Sequence, residues 1–134
     1  LSREVNSGTH VYFLESVVRK GNKNDETFFS PGTLLLPSSE GITSEISQNP
    51  NAIGYEGLGY VTDGVKTVAV SPSDDGLYIM PTIKTVIDDT YPISRALYMY
   101  LPEEATGYTK DYNGWIYSEQ AQSIVEELGF VPVN

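Results

Sequence analysis

Arg3 and the run Ser7-Gly8-Thr9 are the residues whose types and spacing point to chemistry in this chain of 134 amino acids. A helix is expected to begin at about Thr9. The first N–H groups of a helix have no intrahelical partner, and they lie at the end where the macrodipole concentrates positive charge. Gly8 leaves the backbone open to a ligand, and Ser7 and Thr9 add hydroxyl donors. Arg3 stands four residues before Ser7 and carries a guanidinium able to fork onto two oxygens of a tetrahedral anion. Together these groups describe an oxyanion cradle. The same residues also fit a plain Ser/Thr helix cap with a surface arginine beside it, which is the commoner use of such a pattern.

Other chemistry finds little support. The chain has no cysteine, which excludes disulfides, thiolate zinc sites, iron–sulfur clusters and cysteine nucleophiles. It leaves the redox compartment open. A single histidine, His10, is too few for a zinc site, and it is expected on a helix surface without a nucleophile elbow nearby. The acidic pairs Asp74-Asp75, Asp88-Asp89, Glu103-Glu104 and Glu126-Glu127 are neighbours in sequence, so their side chains diverge and suit solvated turns or helix faces. Asp74-Asp75-Gly76 is too short for a calcium loop. Gly54, Gly57 and Gly59 run G-x-x-G-x-G, which is not the dinucleotide fingerprint. No enzyme, metal or cofactor is expected.

The net charge of −10 argues against nucleic acid as a partner, and equally against an anionic membrane surface. An apolar content of 40% is enough for a core. No apolar run approaches the ~18 residues of a membrane-spanning helix. The chain opens on Leu1 with no visible signal peptide, as a trimmed or processed piece of something longer would.

The elements that must position the cradle alternate between helical and strand periods, which predicts an α/β fold. Ser2–Val5 reads as a strand end and Asn6–Thr9 as a turn. A helix from Thr9 to Lys20 follows, its face carried by Phe13, Leu14, Val17 and Val18 and its stop by Gly21. Leu34–Leu36 is a short extended segment inside a loop, and Gly41–Gln48 a short helix ended by Pro50. Ala52–Tyr55 and Val65–Val70 are expected as strands, the first buried, with a tight glycine-dependent connection over Gly57–Val61. A helix from Pro81 to Asp88 is expected to turn Ile83, Val86 and Ile87 inward. Ser94–Leu101, apolar on both faces, reads as a central strand. Tyr108–Tyr117 is a helix. A last helix, capped by Ser118 and carrying Ala121, Ile124, Val125 and Leu128, is ended by Gly129 and followed by an extended tail.

Four stretches, in order and covering nearly the whole chain, resemble one family. They are Ser2-Arg3-Glu4-Val5-Asn6-Ser7-Gly8-Thr9, Asn49 through Val61, Tyr91 through Tyr98, and Ser118 through Val133. The family is that of the phosphate-binding proteins of ABC phosphate transporters. The resemblance implies a type II periplasmic-binding-protein fold: two α/β lobes, joined by hinge strands, that close on phosphate. Only the C-terminal half of the pattern is present. Residues 1–91 would belong to the second lobe, and residues 92–134 would supply the return strand and C-terminal helices of the first.

The resemblance also implies inorganic phosphate or a similar oxyanion as ligand and the membrane permease of an ABC importer as partner. It implies a periplasmic or extracellular location, often with a lipid anchor, which here would sit in a part outside this sequence. The missing N-terminal half of the fold would complete the site and cover the apolar faces of Ser94–Leu101 and the last helix. Carried over by position, Arg3, Ser7, Gly8 and Thr9 match family ligands of the anion. At Val5 the family usually has Asp, and at Asn6 it has Gly. That Asp is thought to accept a hydrogen bond from protonated phosphate, which valine cannot do, so weaker discrimination against sulfate is expected. The alternative is an interaction or envelope module of the same fold with altered or lost oxyanion specificity.

Overall fold

The computed structural model describes residues 1–101 and 103–133. They form two compact units, Leu1–Val68 and the residues from Ala69 onward. The chain is α/β, as its alternating periods predict.

The first unit is built on a short parallel pair. Strand β1 (Ser2–Arg3) lies beside β2 (Leu35–Leu36), with Ser2 opposite Leu35 and Arg3 opposite Leu36. Flanking bonds from Ser2 N to Leu34 O (3.0 Å) and from Glu4 N to Leu36 O (3.1 Å) extend the pairing. Each strand feeds a helix. Helix α1 (Gly8–Phe13) continues into a wider π turn over Leu14–Val18. Its end is set by two left-handed residues, Lys20 (φ 49°) and Gly21 (φ 73°), with Gly21 N closing onto Glu15 O at 2.8 Å. Glycine tolerates that φ without steric cost, which is why the helix stops there.

Helix α2 (Ser39–Gln48) is capped by Ser38, whose hydroxyl accepts from Gly41 N at 3.0 Å. It ends at Asn49, before Pro50. Ile42 of α2 is 1% exposed and anchors the core of this unit. Gly54 runs so close to α2 that an added Cβ would stand 3.0 Å from Ile46 Cδ1 and 3.1 Å from Ile42 Cγ2.

The second unit contains an antiparallel bridge between Val70 and Ile79, which exchange two backbone bonds of 2.9 Å. Helices α3 (Ile83–Ile87), α4 (Gly107–Ile116) and α5 (Glu119–Glu127) follow. Thr82 and Thr85 form a reciprocal capping box on α3. Ser118 caps α5 through Ala121 N, and Gly129 at φ 77° follows its end. The side chain of the buried Gln122 holds Ile116 O (2.7 Å) and the N–H of Val133 (2.8 Å), so it ties α5 to the end of α4 and to the tail.

The structure departs from the sequence expectations at the strands. Ala52–Tyr55 and Ser94–Leu101 pair with no strand among the described residues, and of the strand expected over Val65–Val70 only Val70 makes a bridge, to Ile79. Ile53 is 72% exposed, where a buried strand was expected. Leu97, Met99 and Tyr100 are likewise exposed. Period and β propensity describe side-chain faces, but a strand also needs a neighbour for its N–H and C=O groups. Helix α3 begins two residues after Pro81, at the Thr82 cap, and Ile87 is exposed rather than turned inward.

Candidate oxyanion site

Because β1 and β2 are parallel, both chains leave the pair at the same end. From that end one enters α1 and the other α2. Ligands of open α/β sheets bind in the crevice outside the carboxyl ends of strands, where helix starts gather. In this unit that end carries Ser7-Gly8-Thr9, Pro37-Ser38-Ser39 and Arg3.

Ser7 is the N-cap of α1, with extended backbone (φ −81°, ψ 131°), and its hydroxyl accepts from Thr9 N at 3.2 Å. Its own O–H remains to donate. A bond from Ser7 N to Glu4 O (2.9 Å) closes the turn over Val5 and Asn6, both exposed. Gly8 is exposed, and Ser7 and Thr9 are half-buried. The first turn of α1 holds no acidic side chain, whereas that of α2 holds Glu40. The dipole of α2 is therefore partly met by its own carboxylate, and that of α1 is left for another anion.

Arg3 is placed differently from the other three. Its Nη1 donates to Ser39 Oγ (2.7 Å) and its Nη2 to Pro37 O (2.9 Å), so the guanidinium lies along the approach to α2. Glu56 Oε2 stands 3.8 Å from Nη1. The structure thus brings Ser7, Gly8 and Thr9 together at one helix start and fixes the backbone of Arg3 beside them. No hydrogen bond among the described residues joins the guanidinium to Ser7 or Thr9. Of the five N–H donors of an arginine, two are used within the chain.

His10 corrects the expectation of a surface histidine: it is 7% exposed. Its Nδ1 lies 2.9 Å from both Arg3 O and Ser2 Oγ, and Ser2 Oγ also meets the Tyr55 hydroxyl. The arrangement that satisfies every group runs from Tyr55 O–H to Ser2 Oγ, from Ser2 O–H to Arg3 O, and from His10 Nδ1–H to the same carbonyl. Phe13 stacks on Tyr55 with ring centres 3.7 Å apart, and Phe29 packs on His10 at 4.9 Å. Burial holds the Tyr55 phenol above its ordinary value, and the nearby Glu56 adds to this. Ser2 and His10 do not read as a nucleophile and its base, because Ser2 is 0% exposed and no substrate reaches its hydroxyl.

Sequence reasoning missed Ser39, Glu56, His10 and Tyr55 as neighbours of Arg3. Ser38-Ser39 before the Ile42 and Ile46 pair is a readable cap signal. Nothing in the spacing of Tyr55-Glu56 indicates that the chain returns to β1. Among the described residues no group of acidic or histidine side chains is arranged to hold a metal ion, and no helix is long and apolar enough to cross a membrane.

Comparison with known proteins bears on the same frame. Residues 1–120 match the PBP superfamily domain. The phosphate-binding protein PstS of Pseudomonas aeruginosa is 32% identical over 132 residues, an alignment covering 95% of this chain and 39% of that protein. The phosphate-binding protein PstS 2 of Streptococcus agalactiae is 31% identical over 140 residues, covering all of this chain and 45% of the relative. The crystal structure of the phosphate-binding protein of a phosphate ABC transporter from Streptococcus pneumoniae superposes with a TM-score of 0.74 at 27% identity, over 99% of this chain and 50% of that one. This chain spans half or less of the length of each. With parallel strands leading into two capped helix starts, and a domain match over most of its length, the chain belongs to the periplasmic-binding-protein (PBP) superfamily.

Proposed function

We propose that this chain is the C-terminal half of a two-lobed extracytoplasmic solute-binding protein that captures inorganic phosphate, or a similar oxyanion, for the membrane permease of an ABC importer. The observation that carries the reading is the start of α1: a serine cap, an exposed Gly8 and no acidic residue in the first turn, at the carboxyl end of a parallel pair. Ser7, Thr9 and the N–H groups around Gly8 supply directed donors, and Arg3 supplies the charge. In this reading residues 1–91 belong to the second lobe, and residues 92–134 return to the first. The missing N-terminal half contributes the facing ligands, and any lipid anchor lies outside this sequence. The protein binds without chemistry and takes no cofactor and no nucleic acid. With Val5 where the family has Asp, it rejects sulfate less strongly than an Asp-bearing relative.

A second reading, an interaction module whose anion site is lost, draws on one observation: both Nη atoms of Arg3 already donate to the chain. Melting temperature separates the two, because a ligand that binds only the native state must raise it. Phosphate that stabilises the two-lobed protein supports the first reading, and no shift with any oxyanion supports the second.

A further inference from the structure

Glu56 is a carboxylate with an unexplained burial. Its side chain is 9% exposed, and Oε1 is held by Gly57 N at 3.3 Å. Oε2 has no hydrogen-bond partner, and neither has Arg3 Nε; both atoms are buried. The gap from Oε2 to Arg3 Nη1, 3.8 Å, is an ion pair without a hydrogen bond. Burying a carboxylate is costly unless its lone pairs are met, and a loose buried pair contributes little to stability. A glutamine would serve Gly57 N as well. What the glutamate adds is one negative charge beside the arginine of the candidate site.

We infer that Glu56 is the positioning residue of Arg3, holding the guanidinium against Pro37 and Ser39 and setting the charge that the site offers an anion. The inference rests on reading the site as an oxyanion site, and it names a specificity determinant of it. Arg3 is gripped from three sides: Pro37 O and Ser39 Oγ accept from it, and Glu56 lies behind Nη1. Besides Arg3, the titratable group coupled to Glu56 is the Tyr55 phenol, which is neutral at ordinary pH. With Glu56 charged, the Arg3–Glu56 pair has no net charge. The site then attracts through directed N–H and O–H groups more than through a formal positive charge. A doubly charged anion feels the extra negative charge twice as strongly as a singly charged one. Glu56 therefore biases the site toward singly charged, protonated oxyanions. It supplies at a distance part of the selectivity that Val5 cannot supply by contact.

The test is calorimetry on the two-lobed protein at about pH 5.5, where inorganic phosphate is held mainly as the monoanion and sulfate is a dianion. Glu56→Gln keeps the shape and removes the charge, Glu56→Met removes it with an apolar side chain, and Glu56→Asp keeps it. Either neutral variant should raise sulfate affinity relative to phosphate by about threefold or more, the size expected of one charge a few ångströms away in a partly screened setting. Glu56→Asp should stay near the unaltered ratio. A ratio unmoved in a folded neutral variant, or both affinities falling together, gives Glu56 a merely structural role and overturns the inference. Neutral variants that both fail to fold, on a melting curve, also overturn it, since the side chain would then be structural. If the unaltered protein binds neither anion, the oxyanion reading itself fails; if it binds and the ratio does not move, only Glu56 does.

Discussion

Arg3 O, at the end of β1, is an acceptor that the ladder to β2 leaves over, and two donors meet it: His10 Nδ1–H and Ser2 O–H. That carbonyl fixes the backbone of Arg3. The hydrogen-bond chain behind it starts at Tyr55, whose neutral form is favoured by burial. A phenol whose folded value lies above its unfolded value adds stability that is fully present below the unfolded value, about 10. That contribution is lost as pH rises through the folded value. Urea unfolding at about pH 9 and pH 11 should therefore show a smaller loss of stability for Tyr55→Phe than for the unaltered protein. An equal loss in both would remove Tyr55 from the account. This neighbourhood was not legible in the sequence. Helical spacing places His10 on α1, but its bonds back to β1 and the packing of Phe29, 19 positions on, make it a buried histidine.

At the scale of elements, the helices and the short pair β1 and β2 were legible, and the longer strands expected over residues 52–55, 65–70 and 94–101 were not found among the described residues. Caps and stops are local chemistry: Ser7, Ser118, Gly21 and Gly129 sit at the ends of helices that the spacing of apolar residues already marks. Strand pairing is settled by partners far along the chain, and residues 96–101 have the composition of a central strand but belong to no sheet among the described residues. Ser7, Gly8 and Thr9 were legible as a helix start because they are consecutive. The direction of the Arg3 side chain was not, since Pro37, Ser39 and Glu56 are remote in sequence. Two glycines separate packing from propensity. Gly54→Ala pushes a methyl against Ile42 and Ile46 and should destabilise the protein by about 1–3 kcal/mol. Gly114→Ala, inside α4 with nothing within 4 Å, should stabilise it by roughly 0.5–1 kcal/mol. A urea midpoint that does not fall for Gly54→Ala would contradict the packing of Gly54 on α2.

For the whole molecule, the exposed run Leu97–Leu101 and the half-length match to the relatives fit together. Apolar side chains on both faces of an extended segment call for layers on both sides. In the two-lobed protein the amides of residues 96–101 should exchange with solvent far more slowly than in this chain alone. Equal exchange in both would refute the proposed pairing of that segment with a facing part of the fold. The net charge of −10 belongs to this scale too. It disfavours nucleic acid and anionic surfaces as partners, yet it does not oppose the proposed site, because charges beyond a Debye length of about 8 Å are largely screened and a cradle of this kind would act through short contacts. The proposed function stands on phosphate binding at the start of α1 and the neighbouring Arg3. Titration calorimetry of the two-lobed protein with inorganic phosphate tests it most directly. One-site heat is expected in the unaltered protein, weakened at least about tenfold in Ser7→Ala and in Arg3→Ala, each the loss of a donor worth about 1.5–3 kcal/mol to a charged group. Binding left unchanged in both variants would contradict it.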